Sequence, residues 1–328
     1  MKSKKKTNNN QLEEAFRAFF NRNYSKAISL FLELLAFEPE NTTYWHYLAS
    51  SYVVLKKHEK AIDCYEQLVA LEPESWNFFK LASQYSAIEK FQQAIETLQR
   101  LITLDSSFLM AYDELGRLYG QLEEYDKAVA VFKKALALKE EEDYYLSQIG
   151  WAYASNGEYE LAISYLHQAL KINGSLPIVY FNLGISHYSL EEYKKAIKYF
   201  QKAISHGYEQ ADVFVNLGYC YEELNEIDKA REAYQKAVEK EPENTDNLFL
   251  YGNLLSELGK EEKAVRIYEK ILFLEPANID ALRELCLSLE TLGREKEANE
   301  YYKLMEKIQK ESMALKQPKK TLSLKTAH

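Results

Sequence analysis

The sequence predicts an all-α protein made of stacked helical hairpins, which is an α-solenoid. Nine alanines recur every 34 residues, except for one interval of 33 between Ala61 and Ala94. A small residue lies twelve positions before each alanine, and a large residue lies four positions after it. Such regularity over about 20–50 residues indicates a row of similar supersecondary units rather than one globular core.

The first element of each unit is a helix that contains the small residue. Two helices approach closely only where the side chains between them are small, so this position predicts the contact inside the hairpin. An apolar residue directly precedes the small one in every unit but the first, where Glu14 stands. The small residues are Ala15, Ala49, Ala82, Gly116, Gly150, Gly184, Gly218, Gly252 and Cys286.

The second element follows a short polar turn such as Asn156-Gly157-Glu158, which interrupts the first helix. The recurring alanine and the large residue four positions later share one face of a second helix. The alanines are Ala27, Ala61, Ala94, Ala128, Ala162, Ala196, Ala230, Ala264 and Ala298, and the large residues are Phe31, Tyr65, Leu98, Phe132, Leu166, Phe200, Tyr234, Tyr268 and Tyr302. Pro39, Pro73, Pro242 and Pro276 predict where four of these helices end.

This pattern resembles the tetratricopeptide repeat. Residues 42–74 carry it most clearly, with Trp45, Leu48, Ala49, Tyr52, Ala61, Tyr65 and Pro73 in register. The resemblance implies a right-handed superhelix whose first helices line a concave groove. The pentatricopeptide array, which reads RNA, differs from this chain in period and in its usual basic charge.

The resemblance places one nine-repeat solenoid at residues 8–312. Its repeats are predicted at 8–41, 42–74, 75–108, 109–142, 143–176, 177–210, 211–244, 245–278 and 279–312. Residues 1–7 are predicted to be a basic disordered segment. Residues 313–328 are predicted to hold an extension of the last helix and a flexible Lys-rich tail.

Charge and hydropathy limit the possible partners. The net charge is −9, but residues 1–7 and 313–328 carry eight Lys and no acid, so the remainder stands at 33 − 50 = −17. A folded body of this charge repels nucleic acid. No apolar run approaches the roughly 18 residues of a membrane span, and no secretory signal is visible, so we expect a cytoplasmic protein.

A peptide-binding groove is predicted from first-helix positions on either side of the small residue. Amide and aromatic side chains alternate there, and together they can hydrogen-bond a peptide backbone and bury its apolar side chains. The alternative is that the asparagines cap or solvate the helices while the aromatics pack between repeats. The predicted groove residues are Gln148, Trp151, Phe181, Asn182, Ile185, Tyr188, Asn216, Tyr219, Phe249 and Asn253.

Asp212, Asp246 and Asp280 occupy equivalent places near the starts of successive first helices. They predict a preference for a basic segment of the partner, or they stabilise the helix dipole and keep the surface soluble. Some members of the family that this chain resembles hold a chaperone tail with a carboxylate clamp. Asp212 stands where that clamp needs a lysine, so the clamp is not expected.

Five aromatic residues, Phe16, Phe19, Phe20, Tyr47 and Trp76, form either a second contact surface or part of the core. No metal-ligand spacing, phosphate-binding loop or nucleophile elbow is present, so no cofactor, metal or catalysis is expected. The sequence therefore predicts a scaffold or adaptor that binds a protein or peptide. A dedicated chaperone of a secreted or assembling protein, or a substrate-recruiting subunit of an enzyme complex, is the alternative.

Overall fold

The computed structural model describes residues 2–138 and 140–316, and within them it contains eighteen α-helices and no β-strand. The predicted all-α class is therefore confirmed. The first ten helices are α1 (Lys2–Phe20), α2 (Tyr24–Phe37), α3 (Thr42–Val54), α4 (His58–Leu71), α5 (Ser75–Ala87), α6 (Phe91–Leu104), α7 (Leu109–Gln121), α8 (Tyr125–Leu136), α9 (Glu142–Ser155) and α10 (Tyr159–Ile172). The others are α11 (Pro177–Ser189), α12 (Tyr193–Ser205), α13 (Ala211–Glu223), α14 (Ile227–Lys240), α15 (Thr245–Glu257), α16 (Glu261–Leu274), α17 (Ile279–Thr291) and α18 (Glu295–Lys316).

The helices form two compact units, one ending at Ile172 and the other beginning at Asn173. The nine-repeat array over residues 8–312 stays a prediction. Within each unit, every hairpin packs against the next one through its second helix, as α4 does with α5 and α14 with α15.

The core of each hairpin is the predicted pairing of small and large residues. All nine recurring alanines are buried. A Cβ added to Gly218 of α13 would overlap the ring of Tyr234 of α14, and one added to Gly116 of α7 would overlap the ring of Phe132 of α8. These glycines are required because a close approach of the helices leaves no room for a side chain.

One residue in each hairpin turn has a positive φ, in the left-handed region. Glycine occupies this position in only three of the nine hairpins. The residues are Arg22, Lys56, Glu89, Glu123, Gly157, Glu191, Asn225, Gly259 and Gly293. A left-handed residue after the last helical turn is a common way to end a helix and reverse the chain.

The helix ends follow local sequence signals. α2, α4, α14 and α16 each end two residues before a proline, as predicted. Asparagine side chains cap three first helices, for example Asn244, whose Oδ1 accepts a hydrogen bond from the backbone N–H of Asn247 at 3.1 Å. Such a cap satisfies a backbone donor that the helix itself leaves free.

The chain ends differ in part from the prediction. α1 begins at Lys2, whereas residues 1–7 are predicted to be disordered. Lysine is a good helix former, so the basic composition does not oppose a helix there. α18 extends to Lys316, in line with the predicted extension, and the predicted flexible tail over 317–328 lies outside the described residues. None of the described helices is long and apolar enough to cross a lipid bilayer.

Candidate functional site

The first helices of the second unit form a common face. α11 contacts α13, and α15 contacts α17. We call the exposed side of α11, α13, α15 and α17 the first-helix face. Eight of the ten predicted groove residues lie on these helices, and Gln148 and Trp151 lie on α9 of the first unit. The structure therefore places the predicted residues in two separate units.

An aromatic patch covers part of the first-helix face. The Phe181 ring stacks on the Tyr208 ring with centroids 4.8 Å apart. The Tyr188 ring lies 5.6 Å from Tyr193 and 6.4 Å from Tyr219, which joins α11 to α13. All five rings are half-buried, so they pack on one another and still present apolar surface.

Two further predicted residues extend this surface. Phe249 of α15 is half-buried, with its ring 6.2 Å from that of Tyr268. Ile185 of α11 is half-buried as well. The aromatic and aliphatic members of the predicted groove in the second unit are thus all partly accessible.

The amides behave differently from one another. Asn182 is buried, with 8% of its surface exposed. Asn253 accepts a hydrogen bond from the Tyr268 hydroxyl at 2.9 Å, which ties it to its own hairpin. Asn216 is half-buried, and its Nδ2 donates to the backbone carbonyl of Asp212 at 2.8 Å. Two of the three asparagines therefore fit the packing alternative, and Asn216 keeps its side-chain oxygen as an acceptor.

Exposed carboxylates lie at the starts of three first helices of this unit. Asp212, Asp246 and Asp280 are all exposed. The Asp212 carboxylate accepts a hydrogen bond from the Tyr208 hydroxyl at 2.8 Å, and Asp280 pairs with Arg283 at 2.9 Å. The three acids stand at the starts of α13, α15 and α17, where they also favour the helix dipoles.

Burial raises the pKa of Glu222 of α13 above its usual range. A hydrogen bond that its carboxylate accepts from the Tyr234 hydroxyl opposes this shift, and the carboxylates of Glu257 and Glu223 reinforce it. The first-helix face of the second unit thus combines apolar rings with several carboxylates, of which Asp280 is paired with Arg283.

Burial is also the largest cause that raises the pKa of the Tyr188 and Tyr219 hydroxyls. The next cause is a carboxylate, from Glu223 for Tyr188 and from Glu222 for Tyr219. The negative potential of the acids therefore reaches the rings themselves. A cation placed beside these tyrosines would be favoured by the aromatic rings and by the carboxylates.

The two predicted residues of the first unit occupy a different environment. The Trp151 ring of α9 fills the space beside Gly120 of α7, where a Cβ would overlap it, and lies 6.2 Å from the Tyr125 ring. Trp151 and Gln148 are both half-buried. Trp151 therefore joins two successive first helices while keeping one edge accessible.

The first unit also carries three exposed apolar residues at one repeat position, of which the sequence analysis singled out Trp76 but not Met110 or Tyr144. Trp76, Met110 and Tyr144 are 50%, 40% and 39% exposed and lie 34 residues apart, six positions before the small residue. The Trp76 ring lies 5.3 Å from Phe108. The sequence contains the pattern that could have predicted this, because Asp212, Asp246 and Asp280 occupy the same repeat position in the second unit and were predicted to be accessible.

The N-terminal aromatics form a cluster without Trp76. The Tyr47 ring stacks on Phe31 at 5.5 Å and lies 4.9 Å from both Phe16 and Phe19. Phe20 is 69% exposed at the edge of this cluster. Phe16 and Phe19 thus belong mainly to the core. Among the described residues, no three His, Cys, Asp or Glu side chains are grouped to hold a metal ion.

Family models match several parts of the chain. Tetratricopeptide repeat models match residues 42–75, 79–143, 181–245 and 233–266. A model of the anaphase-promoting complex, cyclosome, subunit 3, matches residues 121–203. No protein of curated function matches the chain significantly.

Solved structures share the fold. A chain of the APC/C hetero-tetramer Cut9–Hcn1 is 18% identical with a TM-score of 0.56, over 85% of this chain and 55% of that one. This chain thus spans about half the length of that relative. A tetratricopeptide repeat protein from Parabacteroides merdae is 15% identical with a TM-score of 0.59, over 76% of this chain and 98% of that one. The matched repeat models and the paired helices show that the chain belongs to the tetratricopeptide repeat family.

Proposed function

We propose that the protein is a scaffold or adaptor whose first-helix face in the second unit binds a peptide segment of a partner protein. The observation that carries this proposal is the half-buried aromatic patch with the exposed carboxylate of Asp212 beside it. Tetratricopeptide repeat proteins are generally non-catalytic scaffolds, and we propose no catalytic role for this chain.

The rings of Phe181, Tyr188 and Tyr219 would supply most of the binding free energy. Large aromatic side chains offer much contact area for little loss of side-chain entropy, and they dominate many protein interfaces. Ile185 and Phe249 extend the same apolar surface. The Oδ1 atom of Asn216 would accept a hydrogen bond from the peptide backbone.

We propose that Asn182 and Asn253 support the face from within, since one is buried and the other accepts from Tyr268. Gln148 and Trp151 belong to the first unit, and we propose them as a contact point of that unit by itself. Each role is testable by substitution at the single position.

The preferred peptide is basic. Asp212, Asp246 and Asp280 are exposed, and the raised pKa of Glu222 reflects burial reinforced by two neighbouring carboxylates. A Lys or Arg side chain of the ligand would relieve this repulsion and lie against a tyrosine ring. Affinity should therefore fall as salt is added.

The experiment begins with random peptides displayed on phage and selected on the full chain. An enriched peptide is then synthesised, and its Kd is measured by calorimetry for the wild type and for Tyr188→Ala/Tyr219→Ala. Losing two aromatic contacts should weaken binding at least about tenfold, since 1.4 kcal/mol corresponds to a factor of ten. The matched control is Tyr221→Ala, which lies on the same helix, roughly 200° around from Tyr219.

Circular dichroism must show that both variants stay folded. An unchanged Kd of the double variant for every enriched peptide would reject this face. The basic preference would be rejected if the peptides that the double variant binds more weakly were rich in Asp and Glu. A single stoichiometric partner that is unstable without this protein would favour the chaperone alternative. The alternative of a substrate-recruiting subunit would be favoured if an associated enzyme bound its substrate only in the presence of this chain. We also propose that the protein acts in the cytoplasm.

A further inference from the structure

Each unit also has a groove between second helices, with a first helix as its floor. The α6–α8 groove lies over α7 and encloses about 330 Å³, and the α12–α14 groove lies over α13 and encloses about 580 Å³. Their lining residues occupy equivalent repeat positions. Gln99, Ile102, Tyr119 and Lys134 of the first groove correspond to Gln201, Ile204, Tyr221 and Lys236 of the second, three repeats further on.

The floors are built in the same way. In the α6–α8 groove, Gln99 Nε2 donates to the Tyr119 hydroxyl at 2.9 Å, and the Lys127 ammonium lies 5.4 Å from the Tyr119 ring centroid. The α12–α14 groove repeats both contacts, with Gln201 to Tyr221 at 3.4 Å and Lys229 at 5.5 Å from that ring. Tyr112 and Leu115 complete the apolar floor of the first groove.

The charges of the two grooves differ. Lys127 and Lys134 line the α6–α8 groove, and no acidic side chain of the described residues lines it. Three lysines and three glutamates line the α12–α14 groove, where Lys240 pairs with Glu209 at 2.8 Å. The first groove is therefore positive on a chain whose net charge is −9.

The lysines of α8 are divided between two surfaces. Lys133 donates to the Tyr153 hydroxyl at 2.7 Å and belongs to the contact with α9. Lys127 pairs with Glu124 at 2.9 Å while its ammonium stays over Tyr119. Lys134 is exposed at the edge of the groove.

We propose that the α6–α8 groove binds an acidic peptide segment of a partner protein, distinct from the ligand of the first-helix face. An apolar side chain of the segment lies against Tyr112, Leu115 and Tyr119, and its flanking carboxylates meet Lys127 and Lys134. Charge complementarity selects this ligand, because the lining holds two lysines and no acid, and only Lys127 is paired, with Glu124 outside the lining.

The test uses the full chain with 13C-labelled Ile δ1 methyl groups and the synthetic peptide Glu-Glu-Phe-Glu-Glu, blocked at both ends. Ile102 reports on the α6–α8 groove and Ile204 on the α12–α14 groove, and Ile102→Val and Ile204→Val assign the two signals. Saturable shifts of the Ile102 signal are expected, with smaller shifts at Ile204. Lys127→Glu/Lys134→Glu should weaken this binding at least tenfold, and the matched variant Lys229→Glu/Lys236→Glu should leave it unchanged.

Three results would overturn the proposal. The first is no shift of the Ile102 signal with Glu-Glu-Phe-Glu-Glu, and the second is an equal shift of that signal with Lys-Lys-Phe-Lys-Lys. The third is an equal shift with Glu-Glu-Ser-Glu-Glu, which would mean an anion site that needs no apolar side chain. Circular dichroism checks the fold of each variant. Tyr188→Ala/Tyr219→Ala should keep the Ile102 response, so failure here is separate from failure of the first-helix face.

Discussion

Truncation of Phe200 tests the link between hairpin packing and the aromatic patch. Phe200 of α12 is fully buried. Its ring fills the space beside Gly184 of α11 and lies 5.7 Å from the ring of Phe181, which belongs to the first-helix face. Phe200→Ala therefore removes the support of both the hairpin and one ring of the proposed site.

The expected loss is large. Burying a Phe side chain stabilises the fold by about 1.5–3 kcal/mol, and the cavity left behind raises the cost of Phe→Ala to about 3–5 kcal/mol. Gly184 has no side chain that could move into the space, so we expect the upper half of that range. Leucine occupies the equivalent position at Leu98 and Leu166, and Phe200→Leu should cost only about 1 kcal/mol.

The assay is urea denaturation followed by circular dichroism, together with hydrogen exchange of the native protein. Because hairpins in such arrays contact mainly their neighbours, faster exchange should be confined to the helices around α12. A loss below about 1.5 kcal/mol for Phe200→Ala, or equally faster exchange in α1 to α8, would refute this reasoning.

Three further predictions follow from single groups. Burial raises the pKa of Glu222, so its ionised form destabilises the fold, and Glu222→Gln should raise the Tm at pH 7. The gain in Tm should shrink as the pH falls towards 4, because the carboxyl group is then protonated in both the folded and the unfolded chain. A series of thermal melts at different pH values that shows no such trend contradicts this. Burial raises the pKa of the Cys64 and Cys220 thiols to about 12, so neither should react with a disulfide reagent at pH 8 until urea unfolds the chain. Asn244→Ala removes a helix cap and should cost about 1 kcal/mol in urea denaturation, whereas Asn244→Asp should cost much less.

The hairpins were predictable because their determinants repeat. The small residue, the alanine and the large residue keep fixed distances, so the pairing of Gly218 with Tyr234 follows from helical periodicity and steric limits. The start of α1 at Lys2 was missed, since charge alone does not distinguish a solvated helix from a disordered segment.

The candidate site was harder to predict than the fold. Asn182 lies four positions before Ser186, which is also buried, so both belong to a packed side of α11. Asn253 is held by Tyr268 because a buried tyrosine hydroxyl needs a partner, a requirement that phenylalanine at the same repeat position would not have. Such differences depend on which residue stands opposite, and one repeat pattern applied to all units does not show them.

The turns have a consequence for how short the array can be. In six of the nine hairpins, a residue with a side chain adopts the left-handed conformation, which costs about 1–2 kcal/mol relative to the right-handed one. The local sequence therefore opposes the chain reversal, and packing against adjacent repeats has to impose it. A hairpin excised around Glu191 should lose its helical pairing in water. The turns thus make the folding of each hairpin depend on its neighbours. An array with these turns therefore needs more repeats to fold than an array with glycine in every turn.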